Sequence, residues 1–293
     1  MVFGSEPARQ AAGATTESGT YRLYKFEQPI GDETWRIARD GDAIVLTDTF
    51  SFTDRGSVVP LASTFRAAAD LTPRSFESKG RSSRFSTVDV SLRVDRDSAM
   101  IRQGQQTREE ATPKQYFVVN GYSPIAQQML MLRYWLLHES PAEMPILPQG
   151  TTIRILPRGA DEVTVGGRRI ALTRYSVGGL IWGRETVWLD DARRLVAAVT
   201  TDAEFDHFEA LAEGYESLIG HFVAEAAATE WLCSRSWRAA CAKRRRGRSP
   251  SSARAWSTEQ VRRRSTTRRL SSTVVALPRS ALETLSPYPR ARR

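Results

Sequence analysis

The side chains able to ligate a metal or move a proton crowd together in only one stretch of this chain, TDAEFDHFE, residues 201–209. In an extended strand side chains alternate, so Asp202, Glu204 and Asp206 would share one face and Ala203, Phe205 and His207 the other. Three carboxylates on one face supply oxygen ligands in the number that calcium demands, with His207 close by. The stretch lacks the glycine turn and distal glutamate of an EF-hand loop. The same residues fit a second role, and it is preferred: Asp206 followed three positions later by Glu209 makes an N-terminal capping box for a helix over 207–224.

Nothing else in the chain assembles into catalysis. The histidines are His138, His207 and His221, with no HxH, HExxH or CxxC spacing, so a histidine-rich metal centre is excluded. There is no GxSxG elbow, P-loop or GxGxxG fingerprint. No catalytic residue is assigned, and no cofactor is expected in this chain. The side chains suited to an apolar ligand are Met129, Met131 and Trp135, on a helix expected over 123–138, and Trp182 and Trp188 downstream. Thioethers adapt to varied shapes. The competing role of all five is ordinary core packing.

These residues must be positioned by a sheet. From Thr20 onward short alternating runs are separated by Gly, Asp or Pro: 21–26, 35–39, 44–52, 63–69, 75–80, 85–94 and 99–103. After the prolines at 145 and 148 come 151–156, 162–165, 169–177 and 194–201, with Gly166-Gly167 as a hairpin turn. One helix interrupts them, with Ser123 as N-cap, Pro124 at the first helical position and IAQQMLMLRYWLLH behind. The expected fold is mainly β (α+β): a single curved antiparallel sheet embracing one helix, as in carrier-type β-clams, with a C-terminal helix. Residues 1–18 read as a disordered leader, 19–225 as the β domain and 226–293 as a disordered basic tail. Residues 17–225 contain no cysteine; Cys233 and Cys241 both fall in the tail.

The tail departs from the rest in charge. From Glu230 to Arg293 there are 17 Lys+Arg against 3 Asp+Glu, whereas the whole chain has 42 against 33, leaving 25 against 30 in residues 1–229. The arginine runs 244–246, 262–264 and 268–269 follow no helical or strand period. Sixteen arginines accompany one lysine there. That skew is what GC-rich codons for Ala, Pro and Val yield when read one base out of step. Read in the neighbouring frame, the tail becomes approximately an apolar run followed by VGARLVDGTG and VVVDGGRIAAVG, two strands with Gly-containing turns. We therefore read 226–293 as frameshifted, and nucleic-acid binding by it as sequence-blind and salt-sensitive.

The shifted text resembles the opening β-segment of the amidohydrolase superfamily. The preceding segments GTYRLYKFEQPIGDETW (19–35), FSFTDRG (50–56), RFSTVDVS (84–91), RYSVGGLIWGRETVWLDDARRLVA (174–197) and TDAEFDHFEALAEGYE (201–216) resemble the accessory domain that precedes some bacterial amidohydrolase-like enzymes. The resemblance implies a parent hydrolase of C–N bonds, with a divalent metal such as zinc held by a His-x-His in a barrel domain that this chain lacks. The chain is thus expected to be a non-catalytic accessory domain of a truncated hydrolase, with that barrel as its partner. The alternative is a free-standing clam that binds an apolar ligand between sheet and helix. No apolar run has the length of a membrane span or signal peptide, so export is expected only if the true start lies upstream.

Overall fold

The computed structural model describes residues 15–121, 124–202 and 207–229. Alternating burial builds strands with one face toward a core. The strands β1 (Thr15–Lys25), β2 (Gln28–Asp40), β3 (Ala43–Asp54), β4 (Ser57–Ala67), β5 (Pro73–Arg81), β6 (Thr87–Asp95), β7 (Ser98–Gln103) and β8 (Gln106–Ala111) form an antiparallel meander. Next, β9 (Phe117–Val119) leads into helix α1 (Ile125–Leu137), and β10 (Met144–Pro148) returns parallel to β9, with Ile146 opposite Phe117. The antiparallel run resumes with β11 (Thr151–Val165), β12 (Arg168–Gly178), β13 (Gly183–Leu189), β14 (Leu195–Asp202) and β15 (His207–Ala212). A 3-10 turn, Glu216–Leu218, and helix α2 over residues 219–229 follow.

All fifteen strands belong to one sheet, in the order β8 down to β1, then β15 down to β9. The junction is β1 with β15, where Leu23 lies opposite Ala210. The sheet curls until its ends meet. Phe65 of β4 packs on Phe117 of β9, with ring centroids 5.1 Å apart. Arg108 of β8 donates to the Pro148 carbonyl of β10 at 2.6 Å.

Helix α1 lies inside the curl. Ile125 through Leu132, Tyr134 and Trp135 are all buried, the pattern of a helix surrounded by protein rather than one with a single apolar stripe. Its neighbours come from different strands: Tyr134 meets Phe117 at 5.4 Å, Trp135 meets Tyr175 of β12 edge-on at 5.9 Å, and Met129 Sδ accepts the Tyr21 hydroxyl of β1 at 3.7 Å. A second, smaller core lies on the outer face of the sheet. There Trp188, Leu172 and Leu211 are covered by Phe222 and Ala226 of α2.

The expected clam, a single antiparallel sheet cradling one helix, is corrected. The sheet is mixed because β9 pairs in parallel with β10, and it runs to fifteen strands in a barrel-like curl. Helix α1 is therefore a core element walled by strands, not a lid on a concave face. Three local expectations also shift. Thr15 to Ser18, read as leader, already belong to β1. Pro124 is the N-cap of α1, not its first helical residue, and makes no side-chain cap hydrogen bond. The helix expected over 207–224 is a strand, β15, until Ala212, because pairing with β14 on one side and β1 on the other satisfies its backbone. The leader residues 1–14, the Ser123 cap and the tail 230–293 lie outside the described residues.

Candidate functional site

The two ends of α1 have different surroundings, and the polar chemistry of the domain is divided between them. At the N-terminal end the helix needs acceptors for its first amides. Glu33 of β2 supplies them, its carboxylate accepting Ile125 N–H at 2.6 Å and Ala126 N–H at 2.7 Å. Because Glu33 lies opposite Phe50 and Asp48 lies opposite Trp35, Glu33 and Asp48 are diagonal neighbours on the inner face. Asp48 accepts the Ser63 hydroxyl at 2.6 Å. On the other side of the helix Glu185 of β13 accepts from Gln128 Nε2 at 3.1 Å and from Thr200 Oγ1 at 2.8 Å. Gln127 Nε2 donates to the Val118 carbonyl at 2.8 Å.

These carboxyls are almost wholly buried, and burial disfavours their charged forms. Burial pushes Asp48 up to about 7 against the pull of the Ser63 hydrogen bonds, and Glu185 up to about 7 against those of Gln128 and Thr200. Glu33 stands well above the ordinary carboxyl range, through burial first and the Asp48 charge second, although the two helix amides pull it down. Asp48 Oδ1 and Glu185 Oε2 have no hydrogen-bond partner among the described residues. The cluster anchors the helix, and its atoms are closed off from solvent.

The C-terminal half of α1 faces an open cleft of about 340 Å³ between the helix and the ends of β1, β2 and β3. Leu130 and Leu137 of the helix, Ile37 and Ile44 of the strands, and Leu71 of the turn between β4 and β5 give it an apolar floor. Three arginines ring it: Arg39, Arg133 and Arg193. Arg133 is held by Glu17 in a bidentate pair at 2.7 Å and by the Arg193 carbonyl at 2.8 Å. Arg39 and Arg193 are exposed and make no ion pair among the described residues. An apolar slot with two exposed guanidinium groups among its lining has the chemistry to take a molecule with an apolar body and an anionic end.

The structure disperses the side chains expected to bind an apolar ligand. Met129, Met131 and Trp135 are buried in the main core, and Trp135 donates its indole N–H to the Pro141 carbonyl at 2.9 Å. Trp188 is wholly buried in the other core, edge-on to Phe222 at 4.9 Å, with its N–H on Asp161 at 2.7 Å. Trp182 is 82% exposed in the connection between β12 and β13. They line no common cavity among the described residues; the cleft is lined instead by Leu130, Arg133 and Leu137 of α1.

Of the metal candidates, Asp202 ends β14 and His207 begins β15, while Glu204 and Asp206 lie outside the described residues. The His207 ring packs at 5.5 Å from Phe26. Glu209 is no capping residue: it is buried on β15 and accepts the backbone N–H of Glu27 at 3.1 Å. Among the described residues no group of three His, Cys, Asp or Glu side chains is placed to hold a metal ion. The zinc centre of the amidohydrolases therefore has no fit in these residues. Nothing in the residue pattern signals Glu33, Asp48 or Glu185, since a carboxylate at an alternating strand position reads as solvent-facing, and nothing in it singles out Arg39 or Arg193.

No protein-family model and no curated protein matches the chain. Among solved structures it is similar to the beta-barrel-like protein of domain of unknown function DUF1849 from Brucella abortus, with a TM-score of 0.46 and 8% identity over 67% of this chain and 94% of that one. The resemblance to amidohydrolase accessory domains thus rests on the sequence segments alone. No helix among the described residues is long and apolar enough to cross a membrane.

Proposed function

We propose that the chain is a non-catalytic binding domain whose ligand is an amphiphile with an anionic head, seated in the cleft beside the C-terminal half of α1. The observation that carries this reading is the pairing of an apolar floor with Arg39 and Arg193, two exposed guanidinium groups that make no ion pair among the described residues. The apolar body lies on Leu130, Leu137, Ile37 and Ile44, and the head reaches the arginines at the mouth. The volume falls at the lower end of the roughly 300–1,000 Å³ typical of small-molecule sites, enough for a short acyl chain or a small aromatic acid. The proposed site lies between sheet and helix, and its lining differs from Met129, Met131, Trp135, Trp182 and Trp188.

Titration calorimetry with dodecanoate, dodecanol and dodecyltrimethylammonium tests the reading. Dodecanoate is expected to bind, dodecanol more weakly and the cation not at all. Arg39→Glu with Arg193→Glu is expected to weaken dodecanoate at least tenfold. Equal affinity for the anionic and cationic amphiphiles, or no heat with any of them, would overturn it.

A further inference from the structure

The connections between strands alternate between two ends of the sheet, and the two ends differ in chemistry. The turns at one end are polar or glycine-containing: Gly41-Asp42, Arg96-Asp97, Gly166-Gly167 and Asp190 to Arg193. The other end carries the turns between β1 and β2, β3 and β4, β5 and β6, β7 and β8, β10 and β11, and β12 and β13, of which those at Gly104 and Gly150 are polar. Phe26, Val58, Phe85 and Trp182 sit on or beside the other four, exposed at 55%, 60%, 87% and 82%. They account for most of the large apolar side chains left exposed among the described residues. The cleft beside α1 opens at the polar end, so this rim serves some other contact.

The backbone presents the tips and does not fold them in. Gly179, at φ +90°, turns the chain out of β12 so closely that a Cβ there would come within 2.3 Å of the Thr152 carbonyl oxygen, and the tryptophan follows three residues later. Leu180 is buried beneath it as an anchor. Phe85 is held by Arg84, whose guanidinium lies 4.7 Å over the ring and pairs with Asp54 at 3.2 Å on the neighbouring turn. Three further arginines, Arg55, Arg81 and Arg184, lie exposed at the same end without ion pairs among the described residues.

We propose that this rim docks the domain on a phospholipid bilayer surface. Separate aromatic tips on polar turns suit a fluid interface better than a moulded protein partner, which takes a continuous patch. Tryptophan and phenylalanine enter the headgroup and upper acyl region, where an amphipathic ring is at home. The unpaired guanidinium groups beside them meet lipid phosphates. One carboxylate at this end, Asp54, is already paired with Arg84, so the rim is aromatic first and basic only in part. Binding should therefore persist on a zwitterionic surface and strengthen moderately on an anionic one.

The full chain is mixed with phosphatidylcholine vesicles carrying bromine-labelled acyl chains, which quench only fluorophores that enter the bilayer. A zwitterionic lipid also keeps the basic residues 230–293 from dominating the association. The expected result is cosedimentation with quenching of tryptophan emission. In Trp182→Phe association is expected to remain while quenching is lost; in Trp182→Ser with Phe85→Ser association is expected to fall at least tenfold. All these side chains are exposed, and unchanged circular dichroism is expected for each variant. Absence of vesicle association, quenching that survives Trp182→Phe, or a stable dimer abolished by Trp182→Ser without vesicle binding would overturn the proposal.

Discussion

Glu33 and Ile125 meet through a hydrogen bond of 2.6 Å that joins a strand to the first amide of a helix ninety-two positions later. A helix begun by Pro124 has no cap of its own, and a buried helix cannot borrow one from water. Glu33→Ala is therefore expected to cost about 2–5 kcal/mol, by stranding two buried amides and leaving a cavity. Glu33→Gln, which keeps an acceptor oxygen and the volume, recovers part of the loss. Urea midpoints of the two variants check this, and an alanine variant within about 0.5 kcal/mol of the parent would contradict it.

The buried carboxyls set the dependence of stability on pH. Asp48 and Glu185 are raised to about 7 in the folded state, whereas unfolded carboxyls titrate near 4. Between those values the folded state holds protons that the unfolded state has released, so stability falls as pH rises through that window. The urea midpoint is expected to be higher at pH 5 than at pH 8. Asp48→Asn with Glu185→Gln should flatten the profile and raise the midpoint at pH 8; an unchanged slope in the double variant would show that other groups govern it.

Helix α2 belongs to the domain. Phe222 is wholly buried against Trp188, and Arg174 of β12 ties Glu225 of the helix to Asp161 of β11. A chain ending at residue 229 is expected to match the full chain in urea midpoint, whereas one ending at Gly220 loses Phe222 and unfolds earlier. Phe222→Ala should cost about 3–5 kcal/mol and leave dodecanoate affinity unchanged, because the cleft lies on the other face of the sheet. Calorimetry and denaturation on the same sample separate the two effects.

The meander was legible because it alternates cleanly: 44–52 reads as a strand and is one, within β3. Other elements were not. β8 reads QTREEA, polar at every position but Ala111 because it is an edge strand with little to bury. β10 reads MPILP, and two prolines argue against any strand that is not at an edge. β15 carries a helix-start pattern, Asp206 with Glu209, which two-sided pairing overrides. The site was least legible. Cleft residues such as Ile37, Arg39 and Arg193 come from distant strands and turns, and only the curl brings them together. The buried Glu33, Asp48 and Glu185 needed knowledge of which face each strand turns inward.

The amidohydrolase resemblance has its own tests. The purified chain is expected to hydrolyse no amide or ester at a rate that added zinc or manganese raises and a chelator abolishes, because a catalytic metal needs three or more placed ligands. Turnover with that chelator sensitivity would show otherwise. The coding DNA tests the frameshift: the neighbouring frame should remain open past the codon for Arg293 and encode a His-x-His soon after, and an early stop there would refute it.

Pairing β1 with β15 gives the domain a seam made from its two extremities. A chain emerging from the ribosome can lay down β1 through β8 as it appears, each hairpin beside the last. The seam, however, must wait until nearly the whole domain has been made, and ordering such distant partners is slow. Until then the inner face of the meander, with Phe50, Phe65 and Phe76, lacks the second half of the sheet that encloses it. The half-made protein is the state most exposed to aggregation, and it is there, before the finished fold exists, that substitutions on that face should do most of their damage.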